Sequence, residues 1–243
     1  MKAMILAAGL GTRLRPLTDN LPKALIRVGE FTLLEFALLK LKHAGFNEII
    51  INLHHMSGLI REYLAVNNNF GCSIQFSDES DQLLDTGGGL KKAAWFFDDD
   101  QPFVVYNCDI ISSMNLKELY ALHLQSGALA TLAVRDRSSR RYLLFDARMN
   151  LCGWKNIKTG ETIIQGPAHF TYTELAFSGI HVISPEIFRF FPKEDKFSIT
   201  NMYLSLASGR QIKGYADVSE HWLDAGKPES LARAQEIIKY VNY

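Results

Sequence analysis

The chain is 243 residues long, and its 26 basic and 26 acidic side chains cancel to a formal net charge of zero. A prior of roughly 150 residues per domain fits one large α/β unit, and 47% hydrophobic with 21% charged residues excludes wholesale disorder and collagen-like structure. Balanced charge argues against a nucleic-acid partner, which calls for a surplus of Lys and Arg, but it leaves room for a small anion held by local cations.

In chain order, residues 3–8 form a continuous apolar run ending at Gly9, the pattern of a strand buried on both faces and not of a secretory leader. Thr32 and Glu35 make a capping box ahead of Leu33, Leu34, Ala37, Leu38 and Leu41 at helical spacing, and Gly45 supplies the stop. Strands are expected over 48–52, 73–77 and 103–106, with helices over 57–64 and 89–97. This alternation implies a Rossmann-like α/β fold: a mixed, mainly parallel sheet with right-handed crossovers and helices on both faces. After Asp109 the pattern becomes more mixed, with helices over 116–125, 198–208 and 230–241 and strands over 130–134, 142–146, 151–156 and 176–183. Ser184-Pro185-Glu186 reads as an N-cap followed by proline at the first helical position. No linker or repeat divides the chain, so residues 1–243 read as one domain whose two lobes are 1–112 and 113–243.

Three cysteines (Cys72, Cys108 and Cys152) form no C-x-x-C pair, which points to a reducing, cytoplasmic setting. No run of about 18 apolar residues is present, so no membrane partner is expected. The seven histidines, at 43, 54, 55, 123, 169, 181 and 221, show no metal-ligand spacing with cysteine and read as structural.

The most informative stretch is 6–18, Leu-Ala-Ala-Gly-Leu-Gly-Thr-Arg-Leu-Arg-Pro-Leu-Thr, followed by Pro22-Lys23. Two glycines after a strand let backbone N–H groups approach phosphate oxygens. A dinucleotide fingerprint needs a third glycine where Leu14 stands, and the Gly-Lys-Ser/Thr of a P-loop is absent, which disfavours a NAD-linked oxidoreductase and a P-loop NTPase. Arg13, Arg15 and Lys23 are cations suited to a triphosphate.

This segment resembles the signature of the sugar-phosphate nucleotidyltransferases, L-A-A/G-G-x-G-x-R-[LM]-x-P-L-T followed by P-K, across residues 5–23. Further motifs extend the resemblance to about residue 232. It implies a fold of the nucleotide-diphospho-sugar transferase type, with 1–112 the nucleotide-binding lobe and 113–243 the sugar-phosphate-binding lobe. It also implies that Gly9, Gly11, Arg13 and Lys23 hold a nucleoside triphosphate, with Leu6, Ala7, Ala8 and Thr12 in the same loop. The reaction implied is attack of a sugar 1-phosphate on the α-phosphorus, with release of pyrophosphate. A phosphate monoester, with a second pKa of about 6, is already largely ionised at pH 7, so no catalytic histidine is required. Charge neutralisation is required, and Mg²⁺ held by one or two carboxylates supplies it.

Asp109 follows the 103–106 strand at the edge where open α/β sheets place ligands. Asp224, in Trp222-Leu223-Asp224-Ala225-Gly226-Lys227-Pro228-Glu229, matches the metal-binding aspartate of the family's W-x-D-[IV]-G-T-P-E. Cys108 stands where the family usually has glycine, placing a side chain beside the metal and the sugar-phosphate pocket. Asp98-Asp99-Asp100 reads as a solvated turn.

Thr86, Gly87 and Gly88 match the family's T-G-[GTA], which lies against the base; on the residues alone a flexible turn into a helix is the simpler account. The triple-glycine form is most similar to the N-acetylmuramic acid 1-phosphate uridylyltransferase branch, which implies UTP and that sugar phosphate as substrates. Sugar contacts are implied at Asn107, Glu174 and Gly179. Arg141, from a cluster with Arg135, Arg137 and Arg140, stands either against a sugar carboxylate or in a solvated loop. The family's E-K-P segment is missing, with Trp154-Lys155-Asn156 near its place. Other acceptors consistent with the motifs are mannose or heptose 1-phosphate with GTP, and glucose 1-phosphate with UTP or dTTP. From a different class, a nucleotide-sugar sensor that has lost catalysis also fits. Oligomeric state is not written in the sequence.

Overall fold

The computed structural model describes residues 1–166 and 171–241. The first apolar run forms β1 (Lys2–Leu6), in which Ala3, Met4 and Ile5 are completely buried, as a central parallel strand requires. A hairpin of β2 (Arg27–Val28) and β3 (Phe31–Thr32) leads into α1 (Leu33–His43). The capping box forms: Thr32 Oγ1 accepts from the Glu35 amide at 3.1 Å, and Glu35 Oε2 accepts from the Thr32 amide at 3.4 Å. The first half continues through β4 (Glu48–Leu53), α2 (Ser57–Val66), β5 (Ser73–Asp78), α3 (Asp85–Lys92) and β6 (Phe103–Asn107). Strands β5, β4, β1 and β6 lie side by side and parallel.

The second half adds β7 (Ile110–Ser112), α4 (Leu116–Ser126), β8 (Ala130–Arg135) and the meander β9 (Arg141–Phe145), β10 (Leu151–Asn156) and β11 (Thr162–Ile164). The eleven-residue β12 (Thr173–Ile183), α5 (Ile199–Leu206), β13 (Ile212–Ala216), β14 (Trp222–Asp224) and α6 (Pro228–Ile237) follow. Strand β12 joins the two halves by pairing antiparallel with β6, β8 and β9, so ten strands make one mixed sheet. Helices α1, α2, α4 and α6 pack on one face, through residues such as Leu38, Leu64, Leu119 and Ile237. Leu90 of α3 and Met202 of α5 cover the other. Helices on both faces of a mixed sheet with a parallel centre match the expected α/β class.

Strand order places the site. From β1 the chain moves to β4 and β5 on one side, then returns to lay β6 on the other. Ligands of open α/β sheets bind outside the carboxyl ends of the strands where the order reverses, here at β1 and β6. Those ends meet in register, Leu6 opposite Asn107.

Three local expectations change. The helix expected over 89–97 begins instead at Asp85 and ends at Lys92, so the three glycines lie inside it. The Ser184 side chain does not cap the helix that follows: its hydroxyl donates to the Ala128 carbonyl at 3.0 Å and lies 3.0 Å from His123 Nε2, while Pro185–Phe190 forms a 3₁₀ turn. Strands β7, β11 and β14 have three residues each, too few for a periodic pattern. Among the described residues, no helix is long and apolar enough to cross a membrane.

Candidate active site

Two adjoining cavities open at this crevice. The smaller, of about 400 Å³, is bounded by Leu6–Gly9 backbone, Lys23, Asn52, Glu79 and Asp109. The larger, of about 800 Å³, lies over β9–β12 and is lined by Arg137, Arg141, Trp154, His181 and the start of α5. Leu6, Asp85, Thr86 and Asn107 border both, so the paired ends of β1 and β6 form the wall between them.

A buried polar pair braces the smaller cavity. Asn52 Oδ1 accepts from the Ala7 amide at 2.7 Å, and Asn52 Nδ2 donates to Glu79 Oε1 at 2.7 Å. The other Glu79 oxygen accepts from the Leu84 amide at 3.2 Å. Burial pushes the Glu79 carboxyl above its usual range, while the Asn52 and Leu84 donors oppose that rise. The pair thus ties the end of β1 to the segment entering α3.

The two carboxylates come from distant segments joined by a short ladder. Strand β14 pairs antiparallel with β7, setting Asp224 opposite Ile110, and the Ala225 amide donates to the Asp109 carbonyl at 2.9 Å. Gly226 then turns tightly, its amide donating to Asp224 Oδ1 at 2.8 Å. A Cβ added at Gly226 would lie 2.7 Å from Asp224 Oδ1, 2.8 Å from Asp109 Oδ2 and 2.8 Å from Lys23 Nζ. Both carboxylates and the ammonium therefore converge on one point that only glycine leaves open. Lys23 is ion-paired with Asp109. Two hard oxygen donors beside an open cradle suit a divalent cation whose remaining positions come from substrate phosphate or water. Among the described residues no group of three or more metal-binding side chains occurs.

A nucleotidyl transferase family profile matches residues 2–240. The chain belongs to the nucleotidyl transferase family. It is 30% identical over 244 residues to the UTP–glucose-1-phosphate uridylyltransferase of Synechocystis, covering 93% of this chain but only 60% of that protein's length. It is 28% identical to the N-acetylmuramate alpha-1-phosphate uridylyltransferase of Caulobacter vibrioides, covering 96% of this chain and 95% of the relative. A Bacillus anthracis protein solved in complex with sucrose shares the fold, with a TM-score of 0.81 at 22% identity over 100% of this chain and 97% of that one.

In this nucleotidyl transferase the residues singled out from sequence separate into two groups. Leu6, Ala7, Ala8, Gly9, Lys23, Thr86, Asn107, Asp109 and Arg141 line the cavities, Arg141 only the larger and Leu6, Thr86 and Asn107 both. Gly11, Thr12 and Arg13 lie beyond the cavity wall; Gly11 holds a positive φ of 65° and accepts from Thr18 Oγ1 at 2.9 Å, which closes the loop on itself.

Gly87 and Gly88 differ from expectation. Their amides donate to the Phe197 carbonyl at 2.9 and 3.2 Å, so they are not presented to a base. A Cβ at Gly88 would overlap the Asp195 carbonyl, and one at Gly89 would press on Glu79. These glycines permit close packing of α3 on 195–197 and on the Asn52–Glu79 pair, at a propensity loss of about 1 kcal/mol each. Glu174 also departs: it pairs with Lys155 at 2.7 Å and does not line the larger cavity. Gly179, with φ of 79°, lies behind Asn107, where a Cβ would stand 2.9 Å from its Nδ2. Cys108 borders the smaller cavity and not the larger one, and burial raises its thiol pKa.

Sequence reasoning missed Asn52, Asp85 and Lys196 at the smaller cavity. Asn52 carried a signal, a lone amide near the end of an otherwise apolar strand. Among the histidines, His123 and His181 are buried and His54 Nδ1 lies 2.6 Å from the Glu79 carbonyl, whereas His169 falls outside the described residues. All three cysteines are free and buried.

Proposed function

We propose that the chain transfers a uridylyl group from UTP to a sugar 1-phosphate, N-acetylmuramic acid 1-phosphate being the leading acceptor, and releases pyrophosphate. The observation that carries the reading is the convergence of Asp109, Asp224 and Lys23 at Gly226, beside two cavities that share one wall. Asp109 and Asp224 would hold Mg²⁺, which when bound neutralises charge developing at the α-phosphate. Lys23 would exchange Asp109 for a phosphate oxygen, and Arg13 and the Gly9–Gly11 backbone would face the rest of the triphosphate. The monoester arrives ionised, so alignment replaces proton abstraction. The lobe of residues 1–112 would take the nucleotide and 113–243 the sugar phosphate, although Asp224 comes from the second.

The uridylyl preference rests on the two uridylyltransferase relatives. N-Acetylmuramate phosphate is favoured over glucose phosphate because the larger cavity offers the exposed Arg141 to an acidic sugar. Mannose or heptose 1-phosphate with GTP, or glucose 1-phosphate with dTTP, is the alternative within the family. Three unpaired cysteines support a cytoplasmic setting. Four nucleoside triphosphates assayed with Mg²⁺ against a panel of sugar 1-phosphates test the proposal through pyrophosphate release. Preference for muramate phosphate with UTP supports it; equal rates for glucose or mannose phosphate remove the substrate assignment. Nucleotide binding with no turnover for any pair would favour a sensor.

A further inference from the structure

The four arginines between residues 135 and 141 have unequal surroundings. Arg135 is consumed by the fold, donating to Asp217 Oδ2 at 2.7 Å, Ser219 Oγ at 3.0 Å and the Ser219 carbonyl at 2.6 Å. Arg140 and Arg141 are exposed. Arg137 lies in the wall of the larger cavity, its guanidinium 4.1 Å from the Trp222 ring centroid. It donates to the Phe177 carbonyl at 2.9 Å and to the Ser138 carbonyl at 3.3 Å. Its Nε is buried and has no hydrogen-bond partner among the described residues, and the side chain makes no salt bridge among them.

Burying a cation with a donor left over is costly unless an anion completes it. Burial is the main influence on the Arg137 guanidinium, and the nearest opposing field is that of Asp224. Trp222 and Asp224 belong to the same strand, so Arg137 stacks two residues from a carboxylate that the proposed function assigns to the metal. Once Asp224 is neutralised there, the arginine faces the cavity without a counter-charge. Lys155, the nearby cation of the Trp154-Lys155-Asn156 segment, is paired with Glu174. The cavity's acids are Asp85 and Glu161, and its other arginine is the exposed Arg141.

We propose that Arg137 holds the phosphate of the acceptor and positions its attacking oxygen. The inference rests on the nucleotidyl-transfer reading above. A guanidinium anchored by two carbonyls keeps further N–H groups, and its planar fork suits phosphate better than a lysine point charge.

The test compares wild type with R137Q and R137K in steady-state pyrophosphate release, varying UTP and sugar 1-phosphate separately. The expected result is an acceptor KM raised about 10- to 100-fold in R137Q, as for loss of a charge-assisted hydrogen bond, with UTP KM within about twofold. R137K should fall between, since it keeps the charge and loses the fork. A merely structural role would move both KM values together, and that result overturns the assignment. Acceptors with and without a carboxylate should lose equally; a loss confined to the carboxylate-bearing acceptor would move Arg137 to that group and overturn the phosphate role. If R137Q fails to fold in thermal melts, R137K alone decides, and a wild-type acceptor KM in it refutes the proposal. Wild type that is inactive with every pair removes the functional reading and this inference together, whereas active wild type with unaffected variants removes only the inference.

Discussion

The two cavities share a wall but are made of different material. The smaller is bordered at the ends of parallel strands by the small residues Ala7, Ala8 and Gly9, which leave the backbone open to close approach. The larger is lined mostly by side chains from an antiparallel meander and from α5. A backbone surface tolerates few residue types, because only small side chains let the main chain approach a ligand. A side-chain surface can be rebuilt residue by residue for a new ligand, so the second carries identity. Under the proposed function, this contrast would separate nucleotide binding from acceptor choice.

The largest test breaks the junction between them. Asp109→Asn and Asp224→Asn should each lower turnover by on the order of 10²–10³ or more, with unchanged thermal melting, because an electrostatic role is removed with little change of shape. Near-normal pyrophosphate release in either variant would take that residue out of the proposed metal site. Lys23→Ala should raise the KM for the triphosphate about 10- to 100-fold and leave acceptor KM nearly constant, a split that confines Lys23 to the smaller cavity.

Acid sensitivity should belong to the antiparallel half. Burial lowers the pKa of His123 to about 4 and that of His181 to about 3, from an ordinary 6.5. Below pH 6.5 the unfolded chain takes up protons that these folded imidazoles refuse. Stability should therefore fall as pH drops from about 6.5 towards 4, by on the order of 3 kcal/mol for each histidine. Urea midpoints measured against pH check this, and His123→Gln should flatten the slope. An unchanged slope in that variant would show that His123 is not the group responsible. The smallest effect is expected at Glu174→Gln, which breaks an exposed ion pair outside both cavities. Stability should change by less than about 1 kcal/mol and acceptor KM by less than about twofold. A large rise in acceptor KM would return Glu174 to the sugar site.

Legibility followed the same division. Strand β1, the capped helix α1, Lys23 and both aspartates could be read because each is fixed by local pattern or by a motif. The motif places the glycines of α3 against a base, yet the Gly87 and Gly88 amides donate to Phe197 and the missing side chains admit the 195–197 segment. No local rule separates a glycine that meets a ligand from one that meets a distant carbonyl. Strands β7 and β14 escaped notice because three residues carry no period, although their pairing is what brings Asp224 to Asp109.

The sequence alone determined the α/β alternation and set a glycine-bearing loop and two carboxylates at recognisable positions. These follow from hydrophobic period and from chemistry that tolerates few substitutions. Tertiary structure decided which groups meet. It placed Asn52 and Glu79 behind the loop, turned Glu174 to Lys155, and left the buried Nε of Arg137 without a hydrogen-bond partner among the described residues. Those outcomes depend on contacts between residues distant in the chain, such as Asn52 with Glu79 and Arg137 with Trp222, and the partner of a buried polar group is a fact about space, not spacing.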